Sequence, residues 1–175
     1  LSFCPATIMQ CAIMCWAMPL VPEFQTLISE PREDYTLLDS GNGRKWESYG
    51  AFKFIRPEPQ AMWEPALDQW PADAEFIPGS DEDGGGRWYY ENQAANTGWP
   101  LRWEEVTFTA QCTPFRHLGF FPDMDPVWRW MRGMLDDNAE AQAMNLFGYT
   151  GVGTLALSAA GAQMVHVDAS KKSVA

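Results

Sequence analysis

Between Ala141 and Asp168 lie the residues whose types and spacing suit them best for chemistry. Ala141-Gln-Ala-Met-Asn-Leu-Phe147 reads as a buried strand running into the glycine-rich turn Gly148-Tyr-Thr-Gly-Val-Gly153. A helix of small residues follows from Thr154 to Ala160 and is stopped by Gly161. Gln163 to Val167 then reads as a second strand, ending in Asp168. Glycines between a strand and a helix let a ligand approach the backbone, and a carboxylate at the end of the next strand accepts hydrogen bonds from two adjacent ribose hydroxyls. That is the layout of a pocket for a nucleoside-containing cofactor. Two cofactor classes fit it. Gly151-Val-Gly153-Thr-Leu-Ala156 matches the G-x-G-x-x-A of dinucleotide sites, where the first glycine abuts the strand and a pyrophosphate caps the helix. Here Gly148, Tyr149 and Thr150 intervene, making a longer loop with a ring and a hydroxyl that suits a cofactor without phosphates. A tight turn holding no ligand is the third reading.

The elements that must position this loop form a β–α–β unit, whose right-handed crossover places its two strands parallel. Ahead of it, Asp125 as N-cap and Pro126 at the first helical position announce a helix. Val127, Met131, Met134 and Leu135 form its apolar face, Arg129, Arg132 and Asp136 lie outside that face, and Asp137-Asn138 ends it. Thr113 to Asp123 is an aromatic loop. Further upstream, Tyr35 to Asp39, Arg44 to Tyr49 and Ala51 to Ile55 read as strands, with Asn42-Gly43 as a hairpin turn because both residues tolerate positive φ. Pro57, Pro59 and Pro65 interrupt regular structure, while Arg87 to Glu91 and Leu101 to Thr109 carry the aromatic and β-branched residues of further strands. The whole is an α+β chain: a small antiparallel β-rich domain followed by the start of a Rossmann-like α/β domain.

The chain has 175 residues and a formal net charge of −11, so no broad electrostatic grip on nucleic acid comes from its net charge. The acidity is lopsided: residues 1–98 carry 6 basic and 15 acidic side chains, residues 99–175 carry 6 and 8. No charge occurs before Glu23, and this leading stretch fits neither a secretory signal, which needs a basic start, nor a spanning helix, which Pro5, Gln10 and Pro19 would interrupt. Residues 1–27 are expected to be a leader or upstream translation outside the fold. Cys4, Cys11 and Cys15 crowd into it without the further ligands a metal site needs. The expected division is a β-rich domain over 28–112, the aromatic loop and helix over 113–138, and the cofactor-domain start over 139–175.

Four segments in order carry a specific resemblance: Leu37-Leu-Asp-Ser-Gly-Asn-Gly-Arg-Lys-Trp-Glu47, Phe115-Arg-His-Leu-Gly-Phe-Phe-Pro-Asp123 with Trp128, Asn145-Leu-Phe-Gly-Tyr-Thr-Gly151, and His166-Val-Asp-Ala-Ser170. Together they resemble class I S-adenosylmethionine-dependent methyltransferases, in particular the branch related to bacterial 23S rRNA cytosine-C5 methyltransferases. The resemblance implies a cytoplasmic enzyme that takes S-adenosyl-L-methionine as cofactor and RNA as substrate. Gly148, Tyr149, Thr150 and Gly151 would wrap the methionine end, Asp168 would bind the ribose, and Ala169 and Ser170 would border the adenine. Asn145 stands where most such enzymes have an acid, and Phe147 and Tyr149 replace two motif glycines. Phe121 and Asp123 belong to the segment that closes over the pocket. The substrate-facing Asp-Pro-Pro motif and the nucleophilic cysteine of the cytosine-C5 branch do not occur between the glycine turn and Ala175. No catalytic residue is therefore assigned within the chain, and residues 1–175 alone are expected to be inactive.

Other residues have plainer readings. His166, a lone histidine on a strand, reads as a packed or surface residue, and His117 as a residue of the aromatic loop within reach of a pocket. Cys112 reads as a β-domain residue. Asp81-Glu-Asp-Gly lacks the alternating ligands of a calcium loop and reads as a solvated connection. Most of the nine tryptophans are expected in the core, though a stacking platform for bases or sugars would make the chain a non-catalytic RNA- or glycan-binding module. A NAD-dependent oxidoreductase is the other alternative.

Overall fold

A computed structural model describes residues 26–79, 85–135 and 141–171. The three cysteines of the leading stretch, Asp81 to Asp83 and Asp136 to Asn138 lie outside the described residues. Three strands open the fold, β1 (Thr36–Gly41), β2 (Arg44–Tyr49) and β3 (Phe52–Pro57), paired antiparallel in sequence order. The β1–β2 turn is the one the sequence announces: Asn42 and Gly43 both take positive φ, 51° and 75°.

The β-rich part departs from a single antiparallel unit. After β3 the chain takes residues 58–73 to cross over and returns as β4 (Ala74–Pro78), which runs parallel to β3 before pairing antiparallel with β5 (Gly86–Tyr90). A parallel neighbour needs a long crossover, and this proline-rich segment supplies it without a helix. Its backbone is held instead by the Asp39 carboxylate, which accepts hydrogen bonds from the amides of Ser40, Ala66 and Leu67 and from the Trp70 indole. A separate hairpin, β6 (Trp99–Trp103) and β7 (Val106–Ala110), packs beside the five-stranded sheet. Trp99 joins the two: its indole donates to the Tyr49 carbonyl at 3.0 Å and its ring stacks on Phe54.

Helix α1 (Asp125–Gly133) follows a 3₁₀ turn at Pro122–Met124. Asp125 does not cap it. It is the first residue inside the helix, with helical φ and ψ, so Met124 takes the cap position, and the buried Asp125 carboxylate instead accepts from the Trp103 indole at 2.7 Å and pairs with Arg32 and Arg129. The apolar face also sits differently from the expectation: Trp128 is the buried residue and Met131 is half-buried, whereas Met134 is exposed.

The last unit is β8 (Gln142–Asn145), α2 (Val152–Ala159) and β9 (Gln163–His166), and β8 and β9 are parallel as the sequence implies. Gly161, at φ 99°, ends α2: its amide and that of Ala162 bond back to the carbonyls of Ser158 and Leu157. The buried strand expected at Ala141 to Phe147 is not buried. Met144 and Leu146 are exposed and Phe147 is 90% exposed, since α2 covers only the opposite face of this two-stranded sheet. One core cluster nevertheless runs from Tyr49 and Phe54 through Trp99, Trp103 and Trp128 to Val152 and Ala156. The tryptophans at 46, 99, 103 and 128 are thus packing residues. No described helix is long and apolar enough to cross a membrane.

Candidate cofactor cavity and polar cleft

The glycine turn is tied to both strands and to the helix between them. Past the strand ends the ladder continues from the Gly148 amide to the Val167 carbonyl and from the Val167 amide to the Asn145 carbonyl, each 2.9 Å. Asn145 Nδ2 donates to Thr154 Oγ1 at 3.1 Å, and Thr154 Oγ1 lies 2.8 Å from His166 Nδ1, so one polar chain stitches β8, α2 and β9. His166 is used in this way, as a packed residue beneath the turn. Gly148 sits so close over its imidazole that a Cβ there would overlap the ring. Tyr149 is left-handed at φ 48° and Gly151 at φ 91°, where only glycine is at ease.

Asp168 closes the turn from the other strand. Its Oδ2 accepts from the Tyr149 amide at 2.7 Å and its Oδ1 from the Ser170 amide at 2.8 Å. The Ser170 amide first, then that of Tyr149, hold this carboxyl below the ordinary aspartate range. A depressed carboxyl keeps its charge as acid is added, and what it contributes to loop order is lost only as the pH falls through its folded pKa. An NMR titration should therefore place its midpoint below about 3.9; an ordinary midpoint would mean that the two amides do not bind it.

A cavity of about 430 Å³ opens beside the turn. Of the residues singled out from the sequence, it brings together Phe121, Asp123, Asn145, Phe147, Gly148, Tyr149 and Thr150. Gly151, Asp168, Ala169 and Ser170 do not line it; they stand at the strand end beyond the turn. Trp128, Met131, Met144 and Met164, which the sequence pattern assigns to helix or strand without a ligand, also line it. The aromatic loop is fastened over the turn by Thr150 Oγ1, which donates to the Gly119 carbonyl at 2.6 Å, and by the Phe121 and Tyr149 rings, whose centroids are 5.0 Å apart. The volume falls within the range of small-molecule sites. No Lys or Arg lines the cavity among the described residues, while aromatic faces and Asp123 do. A cation over an aromatic face is attracted to it.

On the other side of the same loop lies a smaller, polar cleft of about 280 Å³, which shares Phe120, Phe121 and Asp123 with the cavity. Its inner wall is β2 and β3. The strand period puts Lys45, Glu47 and Tyr49 on one face, and the register sets Lys45 opposite Arg56. Arg56, almost wholly buried, donates through Nε and Nη2 to the two oxygens of Glu47, whose side chain is 0% exposed. Nη2 also reaches the Tyr49 hydroxyl, and Nη1 reaches the Arg116 carbonyl at 3.0 Å, tying the aromatic loop to β3. Tyr35 donates to Glu47, and Lys45 bridges Glu47 and Glu58. His117 lines this cleft, and burial, helped by Arg56, Arg116 and Lys45, lowers its pKa so that it is neutral at pH 7. The sequence singles out His117 but gives no sign of Lys45, Arg56 and Glu58 beside it. Cys112 is half-buried against the core, and burial raises its thiol pKa to about 11, far from that of a nucleophile.

Comparison with known proteins bears on this arrangement. No protein-family model and no curated protein matches the chain. Among solved structures, it is similar to a SAM-dependent methyltransferase from Agrobacterium tumefaciens, with 42% identity and a TM-score of 0.77 over 85% of this chain and 47% of that one. It also shares its fold with a candidate SAM-dependent methyltransferase from Streptococcus mutans, at 17% identity and a TM-score of 0.58, covering 81% of this chain and 40% of that one. The chain thus spans about half the length of the solved methyltransferases it matches, and over that span its mixed β-rich and α–β fold is theirs.

Proposed function

We propose that this chain belongs to a class I S-adenosylmethionine-dependent methyltransferase and supplies part of its cofactor holder, with rRNA as the substrate and the cytoplasm as its setting. The observation that carries the reading is the cavity between the Gly148–Gly151 turn and the aromatic loop. Its lining is aromatic, lacks Lys and Arg among the described residues and includes a carboxylate at Asp123, which fits a sulfonium cofactor, while Gly148, Tyr149 and Thr150 lengthen the turn beyond that of a dinucleotide site. S-adenosylmethionine supplies an electrophilic methyl group when bound. The chain's residues would hold it: the turn and Tyr149 beside the methionine end, Phe121 and Asp123 over it, and Asp168 as acceptor for the ribose. Methyl transfer depends chiefly on placing the donor in line with a nucleophile, so a holder of this kind is the central device of the reaction. The motif order supports rRNA as acceptor; the net charge of −11 adds nothing to it.

Equilibrium dialysis against labelled S-adenosylmethionine and, separately, labelled NAD tests the cofactor assignment. Retention of the first and not the second is expected. Preferential retention of NAD would replace the reading with a dinucleotide enzyme.

A further inference from the structure

Trp63 is the most exposed tryptophan among the described residues, at 57%, yet it is held in place. Its indole donates to the Ser40 carbonyl at 2.8 Å, and its own carbonyl accepts from the Asn42 amide at 2.8 Å. Around it, the crossover from β3 to β4 is fastened to β1 and the β1–β2 turn at close intervals. The Asp39 carboxylate takes the Ala66 and Leu67 amides and the Trp70 indole, and the Gly43 amide donates to the Ala61 carbonyl. Gly41 lies so near the crossover that a Cβ there would overlap the Pro65 backbone. A segment without helix or strand is thus fixed, and it turns apolar side chains outward: Met62 is 86% exposed and Leu67 48%. Ordering such a segment costs conformational entropy that Met62, Trp63 and Leu67 do not recover from the core, whereas a surface ordered in advance lowers the cost of binding a partner.

The charges on this segment select the partner. Residues 58–78 contain Glu58, Glu64, Asp68, Asp73 and Glu75 and no lysine or arginine. Some of these carboxylates are engaged: Glu58 pairs with Lys45, Glu75 with Arg44, and Asp73 accepts from the Lys53 amide and the Asn92 side chain. Glu64 and Asp68, which adjoin Trp63 and Leu67 in the chain, are exposed and have no ion-pair partner among the described residues. We propose that this patch docks a basic protein segment, one that sets Lys or Arg side chains against Glu64 and Asp68 and an apolar side chain against Met62, Trp63 and Leu67. The inference stands apart from the cofactor reading. An indole face attracts a guanidinium or an ammonium as well as an apolar group, and tryptophan is among the residues that dominate protein interfaces. A nucleic acid could stack a base on the ring, but its phosphates would meet unpaired carboxylates and no cation on the segment. A second copy docking through the same patch would set Glu64 and Asp68 against their own counterparts, a like-charge contact that a self-complementary interface avoids.

The test pans a random-peptide library displayed on phage against the immobilised chain, with counter-selection on the Trp63→Ser, Leu67→Ser double variant. Enriched peptides are expected to combine Lys or Arg with aliphatic or aromatic residues. Once synthesised, they should bind the chain saturably and lose affinity as salt is raised. Trp63→Ser, and separately Glu64→Gln with Asp68→Asn, should each weaken them about tenfold. These side chains are exposed, so the variants should keep the wild-type midpoint of urea unfolding. Met62→Ser, which leaves the indole hydrogen bond to Ser40 intact, serves as the apolar variant if Trp63→Ser does not fold. Enrichment of peptides without basic residues, no enrichment over the counter-selected variant, or affinities that the substitutions leave unchanged would each overturn the proposal. Retention of poly(U), or a dimer in sedimentation, that Trp63→Ser abolishes would overturn it as well, by giving the patch to a nucleic acid or to a second copy.

Discussion

Arg56→Met should lower the stability of the chain by about 3–5 kcal/mol, read from the midpoint of urea unfolding followed by tryptophan fluorescence. The side chain fills its space almost as before, but Glu47 is left wholly buried with its two strongest donors gone, and neither Tyr35 nor Lys45 can neutralise it at bonding distance through both oxygens. The loss is a penalty for an orphaned charge, and not the worth of the pair. Replacing both partners, Arg56→Met with Glu47→Leu, should therefore recover most of the stability. Equal losses in the single and the double variant would show that the pair is not the buried, mutually dependent unit described here.

Trp128→Ala is expected to cost a similar amount, about 3–5 kcal/mol, for a different reason. The ring packs edge-on against Trp103 at 5.5 Å, touches Phe120 and fills the space above Gly153, where a Cβ would come within 2.6 Å of its Nε1. Its removal opens a void at the junction of α1, α2 and the β6–β7 hairpin, and also removes one wall of the cofactor cavity. Stability and cofactor affinity should fall together. Trp128→Phe keeps a ring there and should show a smaller loss in both; a Trp128→Ala variant as stable as the wild type would contradict the packing.

What is legible in the sequence is whatever local chemistry decides. The Asn42-Gly43 turn follows from two residues that accept positive φ, and the order strand, glycine turn, helix, strand at the end of the chain follows from period and composition. Local chemistry also explains the misreadings. Strand β4 is hidden because prolines flank it and its partner, β3, is reached only across a long crossover. Asp125 resembles a cap because its partners, Trp103 and Arg32, are far away in the chain. The apolar run at Met144 to Phe147 suggests burial, as such runs usually do, whereas nothing among the described residues covers that face.

The cofactor cavity is half legible. Loop residues from Asn145 to Thr150 can be named from glycine spacing and resemblance, and Phe121 and Asp123 from resemblance alone. Trp128 and the methionines of the wall cannot, since a helix face does not announce which cavity it lines. The polar cleft is barely legible. His117 reads from the sequence as within reach of a pocket, but only the fold brings Lys45, Glu47, Arg56 and Arg116 beside it.

The central claim, that the turn between β8 and α2 holds the cofactor, is tested most directly by calorimetric titration of the chain with S-adenosylhomocysteine, comparing the wild type with Gly148→Ala and Asp168→Ala. The account predicts saturable binding to the wild type. Gly148→Ala, which drives a methyl group into the His166 ring beneath the turn, and Asp168→Ala, which releases the Tyr149 and Ser170 amides, should each weaken it at least tenfold while the fold is retained. Absence of binding to the wild type, or binding that neither substitution alters, would contradict it.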